Sequence, residues 1–443
     1  MRTRALPLIA LCLSGALAAG ASDKPTLALV GGQIIDGYEG PPVHDGVVLI
    51  AGERILAVGR RDAVAVPAGT PVIDTRGMSV LPGLMDMHVH LMILGHADYE
   101  HWDKAYISRF RDLIMPIAAK QLLTSGVTSV RDLGAPLEDS IEIRRRIERG
   151  EIPGPRAFVS GPFIQHKAYA DYETTFRWGV NGAEDARAKV QKLVDAGVDV
   201  IKLIDQDQLS DDEVRAVVET AHKGGKPVVA HAHREDEIRI GLKYAVDCFE
   251  HTGLATEPGY PEDILDGIRK RNNTLYWCPT IEGLFLADYT ARTFPDRVDD
   301  PTWQKDMPPD IAADIRASLR NITSLDYFTL TFRRLPTLPR KFQQLRESGV
   351  TLLVGTDSGI PGNFHTDSTW LELATWVRLG ATPMQAIAGA TRGPARFLKK
   401  EGELGTLAAG RYADVIAVRG DVLSKVELLQ KVDVVVKNGQ RMR

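Results

Sequence analysis

The sequence predicts a (β/α)8 TIM barrel, an α/β fold, flanked by a small β-sandwich domain that both chain ends build. Three observations carry the expectation. Eight apolar, β-branched runs in the middle of the chain alternate with segments of helical period. Short strand-like runs punctuated by Gly, Pro and Asp recur at both ends. The 443 residues also suffice for a barrel of about 250 residues plus an accessory domain.

In chain order, residues 1–22 read as a secretory signal peptide: two arginines, an apolar run, then small residues from Ala18 to Ala21. The expected location is the periplasm or the cell exterior. The apolar part is shorter than the roughly 20 residues of a spanning helix, so no membrane span is expected in the mature chain. Residues 23–80 hold LALVGGQIIDG, GVVLIAGERILAVG and PVIDTRGMSVLPG, and residues 400–443 hold LGTLAAGRYADVIAVRG and VDVVVKNGQRMR; together they are expected to form the sandwich. Residues 81–399 are left for the barrel, whose eight runs are LMDMHVHL, VTSVRDLG, RAFVSGPFI, VDVIKLID, PVVAHAH, DCFEHTG, TLYWCPTI and TLLVGTDSG. Helices are expected between them, among them one around Ile141 to Arg149 and one at SDDEVRAVVETAHKGG, where Ser210 and Glu213 have capping-box spacing. The seventh connection, roughly Glu282 to Ser348, is far longer than a usual βα loop. It reads as a lid or substrate wall, or as a solvated excursion with its own helices.

Lys+Arg 54 against Asp+Glu 58 gives a net charge of -4, which offers no electrostatic footprint for nucleic acid or an anionic membrane. The expected partner is a small-molecule substrate; homo-oligomerisation stays open. Cys12 falls in the leader. Cys248 and Cys278 read as buried thiols, with a disulfide allowed only if their strands are neighbours.

Polar residues gather at the C-terminal ends of the runs, where barrel active sites assemble. His88 and His90 are two apart, so a strand's period of two aims both rings at the barrel mouth. Lys202 lies between Ile201 and Leu203, where an ammonium is costly to bury unless paired, neutralised or converted. It could pair with Asp205 or Asp207, serve as a neutral base, or form a carbamate. His231 and His233 end the fifth run, His251 the sixth, and Asp357 the eighth. Two first-strand histidines with Asp357 could hold one cation, and the histidines of the fifth and sixth strands another. His166 and Tyr169 follow the third run and His365 follows the eighth, placing them as substrate contacts above the mouth. Arg131 and Asp132 read as a pair with each other.

The segments LPGLMDMHVHL, VIKLI, VVAHAH, FEHTG and VGTDSG, in this order, resemble the amidohydrolase superfamily. TPMQAIAGATRGPARFL followed by LGTLAAGRYADVIAV is similar to its imidazolonepropionase-like and Xaa-Pro dipeptidase-like branch. The resemblance implies two divalent metal ions, Zn2+ by default. His88, His90 and Asp357 would bind the more buried one, His231 and His251 the other, with carbamylated Lys202 bridging. His233 matches a substrate-contact position. Where relatives continue after the lysine with a small Gly-rich loop, this chain has DQDQLSDDE, an acidic loop or simply a carboxylate-rich helix start. The implied reaction is hydrolysis of an amide C–N bond in a dipeptide or N-acyl amino acid by a metal-bridging hydroxide, with Asp357 as proton shuttle. An esterase, lactonase or phosphotriesterase on the same metal pair, and a non-catalytic binding protein, are the alternatives.

Overall fold

Gly- and Asp-bounded β-branched runs at the N-terminus become strands β1 (Leu27–Ile34), β2 (Val43–Ala51), β3 (Arg54–Arg60), β4 (Val72–Asp74) and β5 (Met78–Pro82) in a computed structural model. The structure describes residues 24–252, 257–283, 285–286, 290, 296–320 and 331–443; the expected leader lies outside them. β1, β2 and β3 form an antiparallel meander, while β1 also pairs in parallel with β4 through Ala28–Val30 and with β5 through Gln33–Ile34.

Next come β6 (Leu84–Val89), β7 (Val127–Asp132), β8 (Arg156–Val159), β9 (Phe163–Gln165), β10 (Arg177–Gly179), β11 (Ile201–Leu203), β12 (Val228–His231), β13 (Cys248–Glu250), β14 (Tyr276–Cys278) and β15 (Thr351–Leu352). Eight of these are the staves of the barrel. β6, β7 and β8 pair in parallel, as do β11 through β15. The bond from Asp199 N to Val159 O joins the two groups, and the parallel bridge Val89–Ser358 closes the ring. β9 and β10 are additions to the third unit, parallel to each other and joined to β11 at Ile164–Leu203.

Barrel interiors fill in layers because alternate residues of each strand point inward. Here Val200, Val229 and Cys248 belong to one buried apolar cluster with Met87, Cys278 and Leu353. Two residues further along the same strands stand Lys202, His231 and Glu250, so a polar layer rests on an apolar floor. Closure needs glycine at one point: a Cβ on Gly355 would lie 2.2 Å from Cys278 Sγ and 2.8 Å from His88 N. Cys248 and Cys278 lie on adjacent strands and are free, buried thiols.

The chain end returns as β16 (Val415–Arg419), β17 (Val434–Lys437) and β18 (Gln440–Arg441). β16 pairs antiparallel with β5, giving one eight-stranded sheet in the order β18-β17-β16-β5-β1-β2-β3, with β4 beside β1. Leu29, Val48, Ile50 and Ile55 from one half share a buried cluster with Val415, Ala417, Val434 and Val436 from the other, which makes the bent sheet a small sandwich.

The helix Asp211–Lys223 begins as its sequence implies: Ser210 Oγ accepts from Glu213 N, and the Glu213 carboxylate accepts from Ser210 N. Within the long seventh connection the described residues form helical segments Asp296–Asp299, Pro309–Leu319, Thr331–Arg334 and Leu338–Ser348. Among the described residues no helix is long and apolar enough to cross a membrane.

Candidate metal centre

The side chains at the carboxyl ends of the staves converge. His88 and His251 have ring centroids 4.8 Å apart, His231 and His251 4.9 Å, and His88 and His90 5.3 Å. His90 Nε2 lies 2.9 Å and His88 Nε2 3.4 Å from Asp357 Oδ1; His251 Nδ1 is 3.8 Å from Asp357 Oδ2. Two donor groups emerge, His88–His90–Asp357 and His231–His233–His251, each with its ligand atoms within 4.8 Å of one another. His251 and Asp357 both adopt positive φ, 79° and 58°. Such backbone is uncommon for residues with a Cβ and clusters at functional sites.

Buried polar atoms ordinarily find partners, yet His88 Nε2, His90 Nδ1, His233 Nδ1 and Lys202 Nζ have no hydrogen bond among the described residues. Burial pushes the His88 imidazole down to about 4 and that of His233 to about 3, and holds those of His231 and His251 well below the ordinary value. Neutral rings with free lone pairs are the state a divalent cation requires. Burial also pushes the Lys202 ammonium down to about 8, against the pull of Glu250 and Asp357. Asp357 behaves oppositely: burial alone would raise it, but His88, His90 and Lys202 outweigh burial and hold it far below the carboxylate range. The donor set fits a cation-binding centre.

A layer of supporting contacts orients these donors. His88 Nδ1 is 2.8 Å from Glu250 Oε2, and Glu250 Oε1 accepts from Arg131 Nη2 at 2.5 Å, with all three fully buried. Burial alone would raise the Glu250 carboxyl; Arg131 and then His88 draw it down to about 2. A carboxylate behind a ligating imidazole sets the tautomer that leaves the other ring nitrogen free. Thr280 Oγ1 lies 2.7 Å from His251 Nδ1. Asp86 stitches the first stave to the last, accepting from His88 N, Thr356 N, Thr356 Oγ1 and Thr369 Oγ1.

Two expectations are corrected. Lys202 pairs with neither Asp205 nor Asp207; both bind Arg234, at 2.9 and 2.6 Å. The lysine points into the barrel while that loop turns outward. Arg131 and Asp132 do not pair either. As neighbours on one strand they face opposite ways: Arg131 reaches Met87 O and Glu250, and Asp132 Oδ1 accepts from Leu91 N at 3.0 Å.

The sequence-assigned substrate contacts divide. His233 stacks on His251, centroids 4.3 Å apart and planes 13° from parallel, so it stands within the cluster. His365 is buried with Nε2 3.2 Å from His90 O, and burial pushes its ring down to about 3. Tyr169 is 61% exposed; its hydroxyl donates to Asp205 and its ring packs under Arg177. His166 is exposed and interacts electrostatically with Glu213, outside the cluster. Sequence reasoning missed the Arg131–Glu250–His88 chain and Thr280; the available signal was Glu250, a carboxylate two residues beyond Cys248 on the same inward face.

A parallel barrel whose strand ends gather imidazoles and a carboxylate around unpartnered nitrogens has the architecture of a metal-dependent hydrolase. Residues 79–442 match the family model of the Amidohydrolase family, and the chain belongs to that family. It is a hydrolase of that family, with side chains grouped as they would be to hold metal ions. Ochratoxinase of Aspergillus niger is 24% identical over 460 aligned residues, which cover 94% of this chain and 86% of that protein. Among solved structures, a Xaa-Pro dipeptidase with methionine in its active site is similar at TM-score 0.72 and 26% identity, covering 94% of this chain and 99% of that one. Molinate hydrolase shares the fold at TM-score 0.74 and 22% identity, with 94% of each chain covered.

Proposed function

We propose that the protein is an exported binuclear metallo-amidase that cleaves dipeptides or N-acyl amino acids. The observation that carries the reading is the gathering of His88, His90 and Asp357 beside His231 and His251, with Lys202 near enough to interact with Asp357 and His88 and with His88 Nε2 and Lys202 Nζ buried without partners. In this reading His88, His90 and Asp357 would hold one ion and His231 and His251 the other, and Lys202, as a carbamate, would serve as a ligand shared between them. Zn2+ suits a donor set of imidazole and carboxylate. The carbamate is supported by a fully buried Nζ without a partner, whose ammonium burial pushes down to about 8. A neutral amine can add carbon dioxide, and the resulting anion removes the burden of a buried cation. When bound, a metal pair of this kind lowers the pKa of a water and polarises the carbonyl to be attacked.

The chain's own residues do the rest. Asp357, whose carboxyl is drawn down by His88, His90 and Lys202, can take the proton of the attacking water and then give it to the leaving nitrogen. Glu250, fixed by Arg131, holds the His88 ring in register. His233 and His365, neutral and close to the ligand rings, are the nearest candidates to orient a substrate; Tyr169 and His166 would line the outer approach. An amide between two amino acids is the bond named by the Xaa-Pro dipeptidase likeness. The leader 1–22, the sandwich 23–80 with 400–443 and the barrel 81–399 complete the proposed layout, which an N-terminal sequence of the exported protein beginning near Asp23 would support.

The test is a panel of dipeptides, N-acyl amino acids, lactones and aryl phosphotriesters assayed in parallel, with metal content measured on the same preparation. The reading requires the highest kcat/KM on an amide substrate in protein carrying about two ions per chain. A highest kcat/KM on lactones or phosphotriesters overturns the substrate class, and no turnover in fully loaded protein overturns catalysis.

A further inference from the structure

Three side chains that amide cleavage leaves unused meet at the edge of the barrel mouth. His96 lies on the loop after β6, His101 at the start of the helix Tyr99–Tyr106, and Asp314 on the helix Pro309–Leu319 of the long seventh connection. The local sequence builds the turn that brings the two histidines together: Asp98 caps the helix, its Oδ1 accepting from His101 N at 3.0 Å. The rings stack, centroids 5.2 Å apart and planes 20° from parallel. Both present Nε2 to one carboxylate oxygen, Asp314 Oδ2, which is 2.9 Å from His101 and 3.7 Å from His96.

His96 is the informative member. It is 2% exposed, and its Nε2 makes no hydrogen bond among the described residues. A buried nitrogen without a partner is uncommon, and this one faces the Asp314 carboxylate from just beyond bonding distance, leaving room for a shared ligand. Its Nδ1 accepts from Asp98 N at 3.0 Å and lies 2.9 Å from Asp98 O, so the Asp98 backbone fixes the ring with Nε2 facing Asp314. Tyr106 Oη donates to the same Asp314 oxygen at 2.9 Å, fixing the carboxylate from behind. Asp98 and Asp310 add negative charge nearby.

We propose that His96 Nε2, His101 Nε2 and Asp314 Oδ2 bind a further divalent transition-metal ion of the zinc type, separate from the barrel centre. The three ligand atoms lie within 4.8 Å of one another, and two imidazoles with one carboxylate are a known donor combination for such an ion, with water completing a tetrahedron. The ion ties the long connection to the first strand's loop. The same two segments already meet through Ala97 N donating to Ser318 Oγ at 2.9 Å, so the metal adds a second fastening at the entrance. A purely hydrogen-bonded cluster would explain the His101–Asp314 contact but leaves His96 Nε2 without a partner.

The test is equilibrium dialysis of the full-length protein, His101→Ala and Asp314→Asn against micromolar free Zn2+, with bound metal counted by mass spectrometry. The His101 side chain is 49% exposed, so its removal leaves the core intact. Each variant is expected to hold one ion fewer per chain than the parent, and the amides of the helix Pro309–Leu319 are expected to exchange hydrogen faster. Because the count is a difference between proteins, it does not depend on how many ions the barrel centre holds. Equal metal content in all three proteins overturns the site.

Discussion

Asp357 is held at positive φ between two histidines and kept ionised by them. Replacing it with asparagine retains an oxygen donor but removes the proton acceptor. Asp357→Asn is therefore expected to lower kcat by about 100- to 10,000-fold, with a smaller loss of bound metal, both measured on one preparation; near-normal turnover with metal bound would refute the shuttle. Glu250→Gln strips the orienting charge from behind His88 and leaves Arg131 buried without its counter-ion. Metal affinity should fall about 10- to 100-fold, read by competition with a chelator, and an unchanged affinity would reduce Glu250 to a structural role. The cluster residues were legible because a strand's period of two puts His88 with His90, and His231 with His233, on one face. The Arg131–Glu250–His88 chain was not, since it spans the barrel and joins β7, β13 and β6, which are far apart in sequence. The supposed Arg131–Asp132 pair failed for the same reason that the histidines succeeded: adjacent strand residues point to opposite faces.

At the level of elements, Glu372 helps lock the helix Ser368–Arg378 to the loop after β14, where Thr375 and Arg378 also bond to Glu282. Glu372 accepts from Ile281 N, Glu282 N and Trp376 Nε1 at 3.1, 2.7 and 2.8 Å. Burial pushes its carboxyl up to about 7 from an ordinary 4.5, so the native state keeps the proton more tightly than the unfolded chain. The resulting stability is fully present below pH 4.5 and is lost as pH rises through 7; a glutamine has no such dependence. The stability of the parent relative to Glu372→Gln should thus fall by up to ~3 kcal/mol across that window. Urea unfolding at a series of pH values reads it, and a gap that is flat or widens with pH contradicts it. The eight apolar runs and the Ser210 cap were readable because each is a local pattern. β9 and β10 were not distinguished, because three-residue strands carry no measurable period. The seventh connection was visible as a length anomaly, but its helices Pro309–Leu319 and Leu338–Ser348 are packed from outside their own sequence.

For the whole molecule, that both ends contribute strands was foreseeable from their matching composition. The strand order was not, since runs such as VVLIA and VDVVV could pair with several partners, and only the bent sheet's shared core selects β16 beside β5. This arrangement makes the C-terminal strands part of the platform that carries β6, on which His88 stands six residues beyond β5's last residue, Pro82, with His90 just past the strand's end. The account as a whole rests on one rim binding two cations. Anomalous diffraction at the metal edge from crystals of zinc-loaded protein tests it most directly. The account predicts two peaks, one among His88, His90 and Asp357 and one between His231 and His251, with density extending from Lys202 Nζ toward both. A single peak or none at the rim, or two peaks with Lys202 unmodified and turned away, would contradict it.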